Sequence, residues 1–126
     1  MKKLIIPFES VIATQAASAN ATESVIGKCY AIEYRPGTTD TGATVTVTCV
    51  EYGAVSKPLL TKATAGTSNA WFYPRDLVHA VADGAALTGT SGGDRVCPLL
   101  HGVVNVAIAS AGTTTIRYGT VIIYYE

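Results

Sequence analysis

The residues best suited to catalysis lie in the glycine-rich segment Gly89-Thr90-Ser91-Gly92-Gly93, which matches the G-x-S-x-G pattern of a hydrolase nucleophile elbow. Asp94 and His101 follow it in the order that the triad of such hydrolases uses. The elbow, however, needs a helix directly after the serine, and Pro98 blocks a helix there. A chain of 126 residues is also too short for the parallel sheet that carries the elbow. We therefore predict no catalytic role for Ser91 and no enzyme activity.

The histidines and cysteines are the other candidates for chemistry, and their spacing does not form a metal site. The two histidines are His79 and His101, and the three cysteines are Cys29, Cys49 and Cys97. None of them forms a C-x-x-C or H-x-x-x-H pair, and no lysine follows the glycine loop as in a phosphate-binding loop. We expect hydrogen-bonded imidazoles, three buried reduced thiols, and no metal or cofactor.

The charge balance and the length of the apolar runs exclude two classes of partner. Nine basic and nine acidic residues give a formal net charge of zero, and no basic run is long enough to neutralise several phosphates. We therefore expect no binding to nucleic acid. No apolar run approaches the roughly 18 residues that span a bilayer, so we expect no membrane partner. Only 14% of the residues are charged, about half the usual share, which suggests that a partner covers part of the surface.

The hydrophobic pattern has the period of two that is typical of strands. Val45, Val47 and Cys49 alternate with threonines, which predicts a half-buried antiparallel strand. Further strand patterns cover residues 25–34, 59–64, 102–110 and 115–126, of which the last two are predicted to pair as a hairpin. Seven or eight short strands without an internal repeat predict an all-β protein. Residues 24–126 would form a single-domain antiparallel β-sandwich or jelly roll.

The first residues begin like a secretory signal peptide, but Pro7 and Glu9 interrupt the apolar run that a signal needs. We expect residues 1–23 to form an N-terminal arm instead, with an apolar first part. Two interpretations stay open for the aromatic segment Trp71-Phe72-Tyr73: a platform on which sugars or bases stack, or side chains that fill the core.

Two long segments carry a resemblance to a known family. Residues 71–87 contain an aromatic-Pro-Arg segment and Leu77-Val78-His79, and residues 102–125 contain Gly-x-Val-x-Val and a β tail. Together with Tyr30–Gly37 and Asp40–Val47, they resemble the small capsid decoration (cement) proteins of tailed bacteriophages.

The resemblance implies a virion protein that is made in the host cytoplasm. Such a protein binds the outside of the major capsid shell and stabilises it, often as a homotrimer. The partner contacts expected on this basis are Leu4, Ile5, Ile6, Phe8, Trp71 and Arg75. Two alternatives remain: another virion component, such as a head–tail connector, tail or fibre-base protein, or a carbohydrate-binding or adhesin-like module.

Overall fold

The computed structural model describes residues 1–51, 56–77 and 95–126, and these residues form strands and no helix. The all-β prediction is confirmed. No helix of this described part is long and apolar enough to cross a membrane. The strands are β1 (Lys2–Glu9), β2 (Ala17–Asn20), β3 (Val25–Arg35), β4 (Thr44–Glu51), β5 (Ser56–Lys62), β6 (Ala70–Phe72), β7 (Asp76–Leu77), β8 (Arg95–Val96), β9 (Leu99–Ala109) and β10 (Tyr118–Tyr125).

The strands pair antiparallel along the path β1-β10-β3-β9-β4-β5, with β2 added to β9 and β6 added to β3. β3 belongs to two ladders, because Val25–Lys28 pairs with β9 whereas the residues from Cys29 onward pair with β10. The first layer therefore contains β1, β10, β6 and the end of β3. The second layer contains β2, β9, β4, β5 and the start of β3. This arrangement is consistent with a β-sandwich, and the jelly-roll order remains a prediction.

Gly27 lies where β3 passes from one layer to the other, and Gly102 lies on β9 opposite Val25 at the start of β3. Gly27 and Gly102 both have positive φ angles, of 157° and 141°. A Cβ atom at Gly102 would collide with the carbonyl oxygen of Val50, and one at Gly27 with that of Glu126. The close approach of the backbones thus requires glycine at both positions.

The core lies between the two layers and follows the period of two. Val45, Val47 and Cys49 are fully buried on β4, while the intervening threonines are half-buried on the other face, as predicted. A single buried cluster joins side chains of both layers. Its fully buried members (relative exposure below 2%) include Ile6, Ile32, Tyr34, Val45, Val47, Leu100, Val104, Val106, Val121 and Ile123.

Residues 1–23, which the sequence suggested as an arm, instead contribute two strands to the layers. β1 pairs with β10 along its whole length, from Lys2 opposite Tyr125 to Glu9 opposite Tyr118. β2 pairs with β9 in the second layer. Pro7 does not break β1, because β1 is an edge strand and proline is tolerated where no partner needs its N–H. The apolar residues of this segment are therefore part of the core.

The hairpin predicted between residues 102–110 and 115–126 does not form. β9 pairs with β2, β3 and β4, whereas β10 pairs with β1 and β3. The connection instead crosses between the layers. The amide of Ala111 donates to the carbonyl of Gln15 at 2.8 Å, and its own carbonyl accepts from the amide of Asp40 at 2.8 Å. The short connection between β9 and β10 therefore joins strands of different layers and does not form a hairpin turn.

Both ends of the strand path carry residues that oppose further pairing. β1 contains Lys3 and Pro7, and β5 contains Lys57, Pro58 and Lys62. Proline offers no N–H to a neighbouring strand, and lysines at a sheet edge disfavour edge-to-edge association. These two edges therefore disfavour the addition of another strand.

Candidate partner-binding surfaces

Three of the six predicted contact residues are not at the surface. Leu4, Ile6 and Phe8 are at most 5% exposed and belong to the core. Their places on alternate positions of β1 turn them inward, and the Phe8 ring stacks on Tyr34 at 6.4 Å. This corrects the prediction that they contact a partner. Ile5 lies between them on the opposite face of β1 and is 61% exposed.

The outer side of the first layer carries exposed aromatic rings. Trp71 on β6 and Tyr124 on β10 stack with their ring centroids 5.0 Å apart and their planes inclined by 30°. Tyr124 lies opposite Ala31 on β3, and Trp71 lies opposite Glu33 on the same strand. The two rings therefore meet across β3, which separates their strands. We call Trp71, Tyr124 and the adjoining Lys3 the aromatic platform.

Charged groups border the aromatic platform. The guanidinium of Arg35 donates to both carboxylate oxygens of Glu33, at 2.7 and 3.2 Å. Because this hydrogen bond favours the charged guanidinium, the pKa of Arg35 is raised. The Lys3 ammonium lies 5.6 Å from the centroid of the Tyr124 ring, within the range of a cation–π contact. The charges of the paired Glu33 and Arg35 side chains cancel, and Lys3 adds one positive charge to the aromatic platform.

A second candidate surface is a cleft of about 490 Å³ at the point where β3 leaves β9. We call it the β3–β9 cleft. Its volume is in the range that holds small ligands or the side chains of a partner. Its described lining residues come from three separate parts of the chain and are Lys28, Tyr30, Arg75, Val96, Cys97 and Leu99.

Arg75, another predicted contact residue, is held in this cleft by backbone carbonyls. Its Nη1 donates to the carbonyl of Tyr30 at 3.2 Å and to that of Pro74 at 2.6 Å. The guanidinium is thereby fixed beside the cleft although it is exposed. Tyr30 in turn bonds to the Glu126 side chain, and this bond raises the pKa of the Tyr30 phenol.

Exposed apolar side chains surround the β3–β9 cleft. Ile26 is 71% exposed, Leu99 59% and Val96 47%. Lys28 lies opposite Leu99, and Ile26 lies opposite His101, so Ile26 and Leu99 are diagonal neighbours on one face. Apolar groups gathered around a concave surface are typical of a protein-contact site.

The three cysteines are free thiols, but the prediction that all three are buried is wrong for Cys97. Cys29 and Cys49 are fully buried, and Cys97 is half-buried at the β3–β9 cleft. Burial raises the pKa of the Cys29 thiol to about 11. Among residues 1–51, 56–77 and 95–126, no three histidine, cysteine or acidic side chains are grouped to hold a metal ion. His101 is exposed on β9, while Ser91 and His79 lie outside the described residues.

Comparisons of the chain with models of known protein families, with curated proteins and with solved structures found no match. Sequence reasoning identified Trp71 and Arg75 as contact candidates, and the structure places both on exposed surfaces. It missed the apolar residues Ile26, Val96 and Leu99. The sequence carries no signal for Ile26, because residues 25–34 have apolar side chains on both faces of the strand.

Proposed function

We propose that this protein is a structural component of a virion: a decoration protein that binds the outside of the major capsid protein shell and stabilises it. The observation that supports this function best is the β3–β9 cleft with its rim of exposed apolar side chains. Leu99, Val96 and Ile26 are each about half exposed or more. Burying them against a partner removes apolar surface from water, which is the main driving force of protein association.

The chemistry of the cleft favours a protein partner. A concave apolar site accepts the anchoring side chain that carries much of the binding energy in protein interfaces. Lys28 and Arg75 at the same site would pair with acidic residues of the shell and fix the orientation of the contact. The protected edges of β1 and β5 direct the partner to such a surface.

Repetition would make this contact effective. A stable interface buries roughly 1,200–2,000 Å² in total. This area is larger than a single small cleft can supply. Assembly as a homotrimer would present three clefts at once and raise the overall affinity through multivalency. In this proposal the protein is made in the host cytoplasm and attached to the shell of the virion.

Particle composition tests the proposal. Particles are purified from cells that produce the protein, and its copy number relative to the major capsid protein is measured by quantitative mass spectrometry. We expect hundreds of copies per particle, and particles that lack the protein should lose infectivity at lower temperature or after milder osmotic shock. A few copies per particle would indicate a connector, tail or fibre-base protein instead. Absence from particles, or unchanged heat and osmotic resistance without the protein, would refute it.

Two variants test the cleft itself. Leu99→Asp introduces a charge that would be buried at the contact, and we expect occupancy of the shell at limiting protein concentration to fall at least tenfold. Thr46→Asp places the same charge on the half-buried outer face of β4, away from the cleft, and serves as the matched control. Equal occupancy of both variants would show that the cleft does not contact the shell.

A further inference from the structure

The aromatic platform shares no residue with the β3–β9 cleft and has a different chemistry. We propose that it binds an acidic polysaccharide, whose sugar rings stack on Trp71 while a carboxylate pairs with Lys3. This inference goes beyond attachment to a shell and does not depend on it.

The ring geometry supports sugar stacking. Trp71 is 46% exposed although one part of its indole is covered by Tyr124. The face of an aromatic ring is negative and attracts the weakly positive C–H groups that line one side of a sugar ring. Tyr73, two residues beyond Trp71 in the chain, is 62% exposed and adds a third aromatic side chain close by in sequence.

The platform is formed before any ligand arrives. Trp71 and Tyr124 lie on strands that both pair with β3, so their backbone positions are fixed by two ladders. The stack of the two rings limits the rotamers of both side chains further. Such preorganisation lowers the entropy that binding must remove, which matters for a ligand that makes few contacts.

The charges on the platform specify an acidic ligand. The Glu33 carboxylate is occupied by Arg35 and is only 5% exposed, so the two charges largely cancel. The Lys3 ammonium beside the Tyr124 ring remains and gives this surface a positive charge. A polymer with a carboxylate on each sugar, such as a polyuronate, complements both the rings and the ammonium.

The chain has a single tryptophan, so the fluorescence of Trp71 reports on this site alone. We would titrate the protein with polygalacturonate and, in parallel, with neutral dextran. A saturable change in intensity or emission maximum is expected with polygalacturonate and a much weaker one with dextran. Lys3→Gln should weaken binding of polygalacturonate at least fivefold and reduce its dependence on salt.

Affinity electrophoresis in gels that contain polygalacturonate extends the test to Trp71→Ala, which has no tryptophan fluorescence. We expect this variant to lose its retardation, whereas Leu99→Ala, at the cleft, should be retarded like the wild type. Circular dichroism establishes that each variant is folded. If Trp71→Ala is still retarded, the attraction is only electrostatic and the proposal is refuted. It is equally refuted by the absence of saturable binding, or by equal binding of dextran.

The test of polysaccharide binding and the test of shell attachment can fail independently of each other. Leu99→Asp, which tests contact with the shell, should bind polygalacturonate normally, because it leaves the platform unchanged. Loss of polysaccharide binding with normal particle occupancy would therefore refute only this inference.

Discussion

Ile5 and Ile6 are adjacent residues of one strand with opposite environments, and this makes them a direct test of the role of β1. Ile6 is 1% exposed in the core, opposite Val121, whereas Ile5 is 61% exposed, opposite Ile122. Truncating a buried isoleucine to alanine costs about 2–5 kcal/mol, because apolar contacts are lost and a cavity remains. The same substitution at an exposed site usually changes the free energy of unfolding by no more than about 0.5 kcal/mol. The loss of strand propensity is similar in both variants and cancels in the comparison.

The difference is measured by urea unfolding, followed by the fluorescence of Trp71. With a slope of about 1–3 kcal/mol per molar urea, Ile6→Ala should lower the midpoint by at least about 0.5 M relative to Ile5→Ala. The slope itself should be unchanged, since both variants unfold from the same structure. Equal midpoints for Ile5→Ala and Ile6→Ala would show that residues 2–9 are a dispensable arm, and the description of β1 as part of the core would be refuted.

Three further predictions concern the core and the crossing between the layers. Val47→Asp should destabilise the protein by several kcal/mol, because the carboxylate enters the core, whereas Thr46→Asp should have little effect; equal unfolding midpoints would reverse the facing of β4. The folded pKa of Cys29 is about 11 and its ordinary value is 9.0. The contribution of the neutral Cys29 thiol to the free energy of unfolding should therefore be fully present below pH 9 and be lost as the pH rises through 11. The decrease should be larger in the wild type than in Cys29→Ala by about 2–3 kcal/mol, as measured by unfolding at each pH, while Tyr30 and Tyr34, whose pKa values are also raised, contribute equally in both proteins; an identical pH profile of the two proteins would contradict the assignment. Gly102→Ala should lower Tm by more than 5 °C, because its φ of 141° and the nearby Val50 carbonyl leave no room for a methyl group; an unchanged Tm in calorimetry would contradict this geometry.

The sequence predicted the strands whose two faces differ clearly. On β4, Val45, Val47 and Cys49 alternate with threonines, and burial follows that alternation residue by residue. The same is true of Val104, Val106 and Ile108 on β9, although the neighbouring residues there are also partly apolar. A period of two is a local property, so it can be read without knowledge of the partner strands.

β1 was missed because its alternation is obscured. Leu4, Ile6 and Phe8 have the spacing of a strand, but Ile5 makes the outer face apolar as well, and Pro7 normally argues against a strand. Only the edge position of β1 makes the proline acceptable, and that position is a property of the assembled sheet. The alternation of a strand was therefore present in the sequence, but only the position of β1 at the edge of the sheet shows that Pro7 is compatible with it.

The topology and the β3–β9 cleft depend on contacts between distant parts of the chain. The short connection after β9 suggested a hairpin, and nothing in its sequence shows that the next strand pairs in the other layer. The cleft joins Lys28 and Tyr30 to Arg75 and to residues 96–99. No spacing within the sequence brings these three segments together, whereas Trp71 and Arg75 were predicted as contacts because their residue types are common at binding surfaces.

The passage of β3 between the layers has a consequence for the way the protein opens. A strand that is hydrogen-bonded to β9 at its start and to β10 at its end ties the two halves of the fold into one cooperative unit. Neither half can detach without breaking a ladder that the other half shares. Amide hydrogens in the middle of β3 should therefore exchange with solvent only through global unfolding, at the slowest rate in the molecule.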